Sequence, residues 1–529
     1  MLFDARTLPD RSVLQAELCI VGAGPAGITI AREFLNAGVK VILLEGGGTK
    51  FNHRDQLLYR GESSGRSYPP LEFTRRRQLG GTSVLWSGRC RPLDESDFEE
   101  RTWIPHSGWP FPRKVLDEYY SRAHTVCELG DYEYSPDYWK SNPALGLSSD
   151  LEVKMFQFSP PTNFGTVYLA ELEHASNLQV FLNANAVHLA LEQDGGSVAH
   201  LECKTFQHKS FHVKATVYVL AMGGLEIPRL LLASHDVQTN GIGNGYDLVG
   251  RFFMEHPFLA AGVATSMPAE IPQAFLRLNY EIEQRHLAPL ATLSLSAEKM
   301  RDERLLNSCA YFVKRPLYKL RDAYHSRTMT DFKQVNDILR HASAPSTQIF
   351  PALGRSALGA ARIAPTIARI ILHKISPTFA WGIRFQLEAG PNAESRVVLS
   401  EKKDALGLPR LDLKWQLTGQ DLHSYRRFEE LLFAALAQSG IQARCFDQDV
   451  DASGWPVTLQ IGKHHMGTTR MDKNPRRGVV DDNGSVHSTA NLFVASSSVF
   501  PTSGMANPTL TIVALSIRLA DHIKKALAV

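Results

Sequence analysis

Residues 16–45 read AELCIVGAGPAGITIAREFLNAGVKVILLE, and the order of residue types within them decides the fold. Leu18 to Val21 is a short apolar run that predicts a buried strand. Gly22, Gly24 and Gly27 follow as G-x-G-x-x-G. A helix is expected from there to about Asn36, with Gly38 as its C-terminal stop. Val39 to Leu44 predicts a second strand, which ends in Glu45. Each part has a mechanical reason. Gly22 makes the tight turn, Gly24 lets the backbone approach a pyrophosphate, and Gly27 lets helix and strand pack closely. The helix N-terminus offers free N–H groups and a positive dipole end to phosphates. Glu45 stands where an acid can hydrogen-bond ribose hydroxyls. The unit predicts a dinucleotide site. The motif does not separate FAD from NAD, and a glycine-rich turn in an unrelated βαβ unit is the alternative.

The rest of the composition narrows the class. A chain of 529 residues predicts two to four domains. A net charge of +3 is too mild for a nucleic-acid-binding face, so no nucleic acid partner is expected. Cys19, Cys90, Cys127, Cys203, Cys309 and Cys445 show no metal-site spacing, so neither a zinc site nor a disulfide scaffold is expected. A reducing, cytoplasmic compartment fits that pattern. The N-terminal residues lack an apolar signal core, and no apolar run is long enough to span a membrane. Around Ser356 to Leu372, Arg355, Arg362 and Arg369 recur every seven residues and fall on roughly one helical face. It reads as a lid or subunit-contact helix, or as a peripheral membrane contact; Pro365 would kink it.

A second glycine cluster, RQLGGTSVLWSGRCR, runs from Arg77 to Arg91. Gly80 and Gly81 suggest backbone passing close to a ligand, with Trp86 as a packing plate. Arg75, Arg76 and Arg77 read either as a solvated charge run or as phosphate contacts. Further on stand VLAMGGLEIPRLLLAS (219–234), GRFFMEHP (250–257), NAESRVVLSEKKDALGLPRLDLKW (392–415), HHMGTTRM (464–471) and NLFVASSSVFPTSGMANPTLTIVALSIRLADHI (491–523). As an ordered set, these segments resemble the glucose–methanol–choline (GMC) oxidoreductases, in particular the bacterial sugar- and alcohol-oxidising branch, with pyranose oxidase as a more distant relative.

That resemblance implies FAD as the dinucleotide. Relatives that attach flavin covalently use a histidine where this chain has Leu85, so non-covalent FAD is expected. Cofactor contacts are implied at Gly22, Gly24, Gly27, Glu45, Arg77, Gly80, Gly81, Thr82, Trp86, Val187, Ala221, Ser497, Pro508 and Thr509. Val187 also reads as a plain core valine, and Ser496 replaces an aspartate that many relatives carry. The family's catalytic histidine falls on His464, with His465 as the runner-up, and its partner falls on Asn507. Asn507 and Pro508 read independently as the N-cap and first residue of a helix whose buried face is Leu510, Val513, Ile517 and Ala520. The N-terminus of that helix would favour anionic reduced flavin. His256 is expected to be structural, and no metal is expected.

The implied fold is α/β: a discontinuous Rossmann-like FAD-binding domain (1–115, 181–254, 456–529) and an α+β substrate domain (116–180, 255–455). The second domain is expected to be built on one antiparallel sheet that includes LATLSLSA, AWGIRFQLEAG, RVVLS and LDLKW. The expected activity is oxidation of an alcohol or sugar, with oxygen, quinone or a redox partner taking the electrons. The alternatives are a hydroxynitrile-lyase-like enzyme with non-redox FAD, or a flavin subunit that needs a partner.

Overall fold

The apolar run that opens the glycine motif forms the end of a long strand, Ser12–Val21, whose last four residues are buried on both faces. Burial on both faces is the mark of a central parallel strand. A computed structural model of the chain, describing residues 1–141, 148–207, 209–267, 275–278, 289–316 and 379–529, places this strand at the middle of an eight-stranded sheet. Its neighbours are Val41–Leu44 and Ser210–Leu220, both parallel to it. Leu178–Leu182 and Leu2–Asp4 extend one side in parallel. Val198–Lys204 and Asn185–Leu191 extend the other side as an antiparallel meander. Leu492–Val494 pairs with Ser210–Leu220 and brings the C-terminal segment onto the same sheet.

The helix after the glycine motif is Pro25–Glu33, shorter than its expected reach to Asn36. The left-handed residue that follows is Asn36, at φ 61°, and Gly38 has no such role. Asn tolerates that conformation. The distant Asn177 side chain completes the stop: its amide nitrogen donates to the carbonyls of Phe34, Ala37 and Val39. Leu178–Leu182, next in sequence, joins the nucleotide sheet and crosses the expected domain boundary at 180/181.

Among the described residues the second sheet has nine strands. Its main path runs Ala443–Cys445, Pro257–Ala264, Phe379–Leu387, Ser308–Pro316, Leu290–Leu295, Leu151–Phe158 and Arg89–Cys90, antiparallel throughout. Leu276–Leu278 and Gln460–Ile461 pair off this path. The helix Gly419–Gln438 covers one face, burying Tyr425, Phe428, Leu432 and Leu436 against Leu259, Ile383 and Phe385. LATLSLSA and AWGIRFQLEAG contribute to this sheet as expected. RVVLS and LDLKW do not: Arg396–Lys403 and Pro409–Trp415 form a separate three-stranded sheet with Gly61–Gly65, which lies parallel to Pro409–Trp415. Its apolar residues Val397, Leu411, Leu413 and Trp415 share a core with Tyr68, Leu225 and Phe253, so a local pairing is satisfied away from the larger sheet.

The C-terminal helix is Thr509–Leu527. It buries Leu510, Val513, Ile517 and Ala520, the face its periodicity predicts, and packs on the helices Pro25–Glu33 and Asp117–Val126. It begins one residue later than expected: Pro508 is its cap position, and no side chain caps it. The segment 356–372 lies outside the described residues. Among the described residues no helix is long and apolar enough to cross a membrane. All six cysteines are free.

Candidate active site

A single cavity links the glycine motif to the HHMGTTRM segment. At one end its wall is backbone. Gly22 holds φ 104°, and a Cβ there would meet the Ala221 carbonyl at 2.8 Å, so only glycine fits the turn. A Cβ on Gly24 would meet nothing closer than Gly81 Cα at 3.9 Å and would fill the cavity instead. Gly81, Thr82, Trp86 and Ala221 line the same stretch. Glu45 closes it: its two carboxylate oxygens accept from Ala23 N–H at 3.1 Å and Gly47 N–H at 2.8 Å, while burial pushes its pKa up. Arg77 also lines the cavity and is anchored by donation to Asn185 Oδ1 at 2.7 Å. Arg75 is no solvated charge; it is buried and paired with Glu226 at 2.6 Å.

Three of the expected contact residues stand behind the wall. A Cβ on Gly27 would lie 1.9 Å from the Gly22 carbonyl, so this glycine serves helix-on-turn packing. Gly80, at φ 92°, packs against Gly165 N–H. Val187 is buried, and the cavity wall here is made by Ala184 and Ala186.

At the other end, Ser497, Pro508, Thr509, His464 and Asn507 line the cavity. Ser497 Oγ donates to the His465 carbonyl at 2.7 Å, and Gly467 N–H donates to the Ser497 carbonyl, pinning the histidine segment to the strand end that carries VASSSVF. Asn507 does not cap the helix because its side chain is used elsewhere. Its Oδ1 accepts from Gln386 Nε2 at 3.2 Å, and its Nδ2 lies 3.3 Å from His464 Nε2.

Hydrogen bonding fixes the tautomers. His256 Nε2 lies 2.9 Å from the Gly504 carbonyl, which can only accept, so that nitrogen carries the proton. Neutral His256 then has a lone pair on Nδ1, and His464 Nδ1–H donates to it across 2.8 Å. The remaining His464 nitrogen, Nε2, is left unprotonated and accepts from Asn507 Nδ2. The chain continues outward: Gln386 Oε1 accepts from Arg89 Nη1 at 2.9 Å, which sets the amide orientations of both Gln386 and Asn507.

Electrostatics keep these rings neutral. Burial, then the neighbouring His256, His465 and Arg89, hold the His464 pKa well below the usual imidazole value. Burial also lowers His256 to about 4. His465 also borders the cavity, but its ring is engaged on another side. Its Nε2 donates to Tyr68 Oη at 3.0 Å, and Tyr68 in turn donates to Glu255 Oε2 at 2.8 Å. Glu255 Oε1 accepts from His464 N–H at 2.8 Å and His256 N–H at 2.9 Å, and burial pushes its carboxyl up to about 7.

Sequence reasoning placed His256 as structural. It is buried, and it also sets the protonation of His464. Glu255, Tyr68, Gln386 and Arg89 were not anticipated. The available signal for Gln386 was its strand: Ile383, Phe385 and Leu387 alternate with Arg384, Gln386 and Glu388, and a buried polar residue on such a strand needs a partner.

Residues 391–516 match the family model for the C-terminal part of GMC oxidoreductases. The chain is 26% identical to the fructose dehydrogenase large subunit of Gluconobacter japonicus, over 96% of this chain and 98% of that protein. It is likewise 26% identical to 6'''-hydroxyparomomycin C oxidase of Streptomyces lividus, over 97% and 92% of the two chains. Among solved structures, pyridoxine 4-oxidase from Mesorbium loti superposes with a TM-score of 0.58 at 17% identity, covering 96% of this chain and 99% of that one.

Proposed function

We propose that this chain, which belongs to the GMC oxidoreductase family, oxidises the CH–OH group of a small alcohol or sugar, with FAD bound in the cavity between Glu45 and His464. The observation that carries the reading is the unprotonated Nε2 of His464 beside Asn507 at the cavity wall, opposite the glycine-lined end. The residues fit an elongated dinucleotide: Gly22 and Gly24 leave room for a diphosphate at the N-terminus of Pro25–Glu33, and Glu45 stands at the ribose end. When bound, FAD supplies the acceptor for the hydride that leaves the alcohol carbon. Leu85 has no nucleophilic atom at the position where relatives form a covalent flavin bond, so FAD is held non-covalently.

The chain's own part is proton chemistry and positioning. His464 Nε2 takes the hydroxyl proton, which lowers the cost of charge developing on the oxygen; general-base help of this kind contributes ~10²–10⁴-fold. Asn507 Nδ2 is placed to donate to the same oxygen, and Gln386 holds the amide in that orientation. His256 holds His464 in the tautomer with Nε2 free.

The test is an anaerobic titration of the flavin-loaded protein with sugars, polyols and simple alcohols while the visible flavin spectrum is followed. Bleaching by one class supports the reading and names the substrate class. Readmitting air then separates oxygen from a quinone or protein acceptor. Retained flavin that no alcohol bleaches would overturn alcohol oxidation by the isolated chain.

A further inference from the structure

The antiparallel meander at the edge of the nucleotide sheet carries a group of side chains with no part in the chemistry above. Its inner face is apolar: Leu189, Leu201, Cys203, Phe211 and Val213 are buried in the core. Its outer face concentrates imidazoles around one carboxylate. Glu202 is paired directly with His212 on one side and His188 on the other, and His200 precedes it by two residues on the same face. Directly opposed residues on antiparallel strands hold their Cβ atoms about 5 Å apart.

We propose that His200, Glu202 and His212 form a binding site for a divalent first-row transition metal of the zinc type. One ligand atom from each lies within 4.8 Å of the other two, and all three residues are half-buried. The His200 and His212 rings lie side by side, with centroids 4.4 Å apart, and His200 Nε2 is 3.8 Å from Glu202 Oε1. Two residues at i and i+2 on one strand, with a third on the adjacent strand, give a fixed sheet three converging donors. Two histidines and one carboxylate are a donor set suited to zinc, leaving a fourth position for water.

The surrounding charges are mixed. His188 stands across from Glu202 but is drawn toward Asp236, with Nε2 3.3 Å from Oδ1, and acts as a flanking group. Lys214 opposes the bound charge near His200, and Lys204 continues the same face on the strand of Glu202. A bound ion would cross-link Val198–Lys204 to Ser210–Leu220, far from the His464 segment in sequence.

The experiment is isothermal titration of the full flavin-loaded chain with zinc chloride, in parallel with the triple variant His200→Gln, Glu202→Gln, His212→Gln. The substitutions lie on a solvent-facing sheet surface, and flavin content and circular dichroism check the fold. One saturable zinc per chain is expected, weakened by at least about tenfold in each single variant and lost in the triple variant. Affinity should rise as pH increases from about 5.5 to 7.5 because zinc displaces imidazole protons. No saturable binding at millimolar zinc, or one-to-one binding that survives the triple variant, overturns the site.

Discussion

His464 is one imidazole among 19 in the chain, and three hydrogen bonds decide its chemistry. Replacing it with alanine should leave flavin bound while slowing anaerobic flavin reduction by ~10²–10⁴-fold. His465→Ala should be much milder, since that ring contacts Tyr68 and not the Asn507 side. Stopped-flow reduction of both variants checks the ranking, and the reverse order would reassign the base. His256→Phe removes the acceptor for His464 Nδ1–H, so the ring either keeps a buried donor unpaired or moves its proton to Nε2, and both outcomes weaken the base. Reduction should slow with little change in substrate affinity, and His256→Asn, whose carbonyl can accept, should recover part of the rate. The depressed His464 pKa also has a direction. The neutral base persists as pH falls through 6.5, so the reduction rate should stay flat there and decline only at more acidic pH. A rate that halves at or above 6.5 would show that the base is not shielded.

The glycine motif divides its labour between a ligand and a fold. Gly24 faces open cavity, whereas Gly27 faces the backbone of Gly22. Gly24→Val should therefore yield a folded protein with little bound flavin, its side chain occupying the diphosphate space. Gly27→Val should lower thermal stability instead, at an overpacking cost of about 1–3 kcal/mol. Absorbance at the flavin band and thermal unfolding separate the two effects. The C-terminal helix makes the same point. Its buried face follows the periodicity of Leu510, Val513, Ile517 and Ala520. Its first residue is settled by Gln386 and His464, which draw the Asn507 side chain away from a capping role.

Across the whole molecule, buried ion pairs tie the layers together. Arg101 forms a bidentate pair with Glu388, and the two side chains are only 2% and 0% exposed. Glu388 also accepts from Asn307 N–H at 2.7 Å, fastening the end of Phe379–Leu387 to the start of the neighbouring strand Ser308–Pro316. Arg101→Ala would strand a buried carboxylate and should destabilise by about 3–5 kcal/mol. Asp97, already raised to about 7 by burial and by Asp94 and Glu388, loses the same compensating charge. The folded variant then holds more protons than the unfolded chain, so its deficit relative to the parent should shrink as pH falls from about 8 to 6. Urea unfolding at the two pH values measures this, and a pH-independent deficit would argue that packing, not charge, is lost.

The glycine-rich βαβ unit and the LATLSLSA and AWGIRFQLEAG strands were legible because each rests on local spacing: turn glycines and a strand period. Family resemblance supplied the pairing of His464 with Asn507, which lie 43 residues apart. The sequence by itself determined the strand–helix–strand order of the glycine-rich unit, the two strands LATLSLSA and AWGIRFQLEAG and the buried face of the C-terminal helix, because those choices depend on neighbours a few positions away. Only the tertiary structure decided that RVVLS and LDLKW leave the larger sheet, that Val187 stands behind Ala184 and Ala186, and that His256, Gln386 and Arg89 set the protonation of His464. Those outcomes depend on hydrogen bonds and burial between residues up to 297 positions apart, which no local pattern encodes.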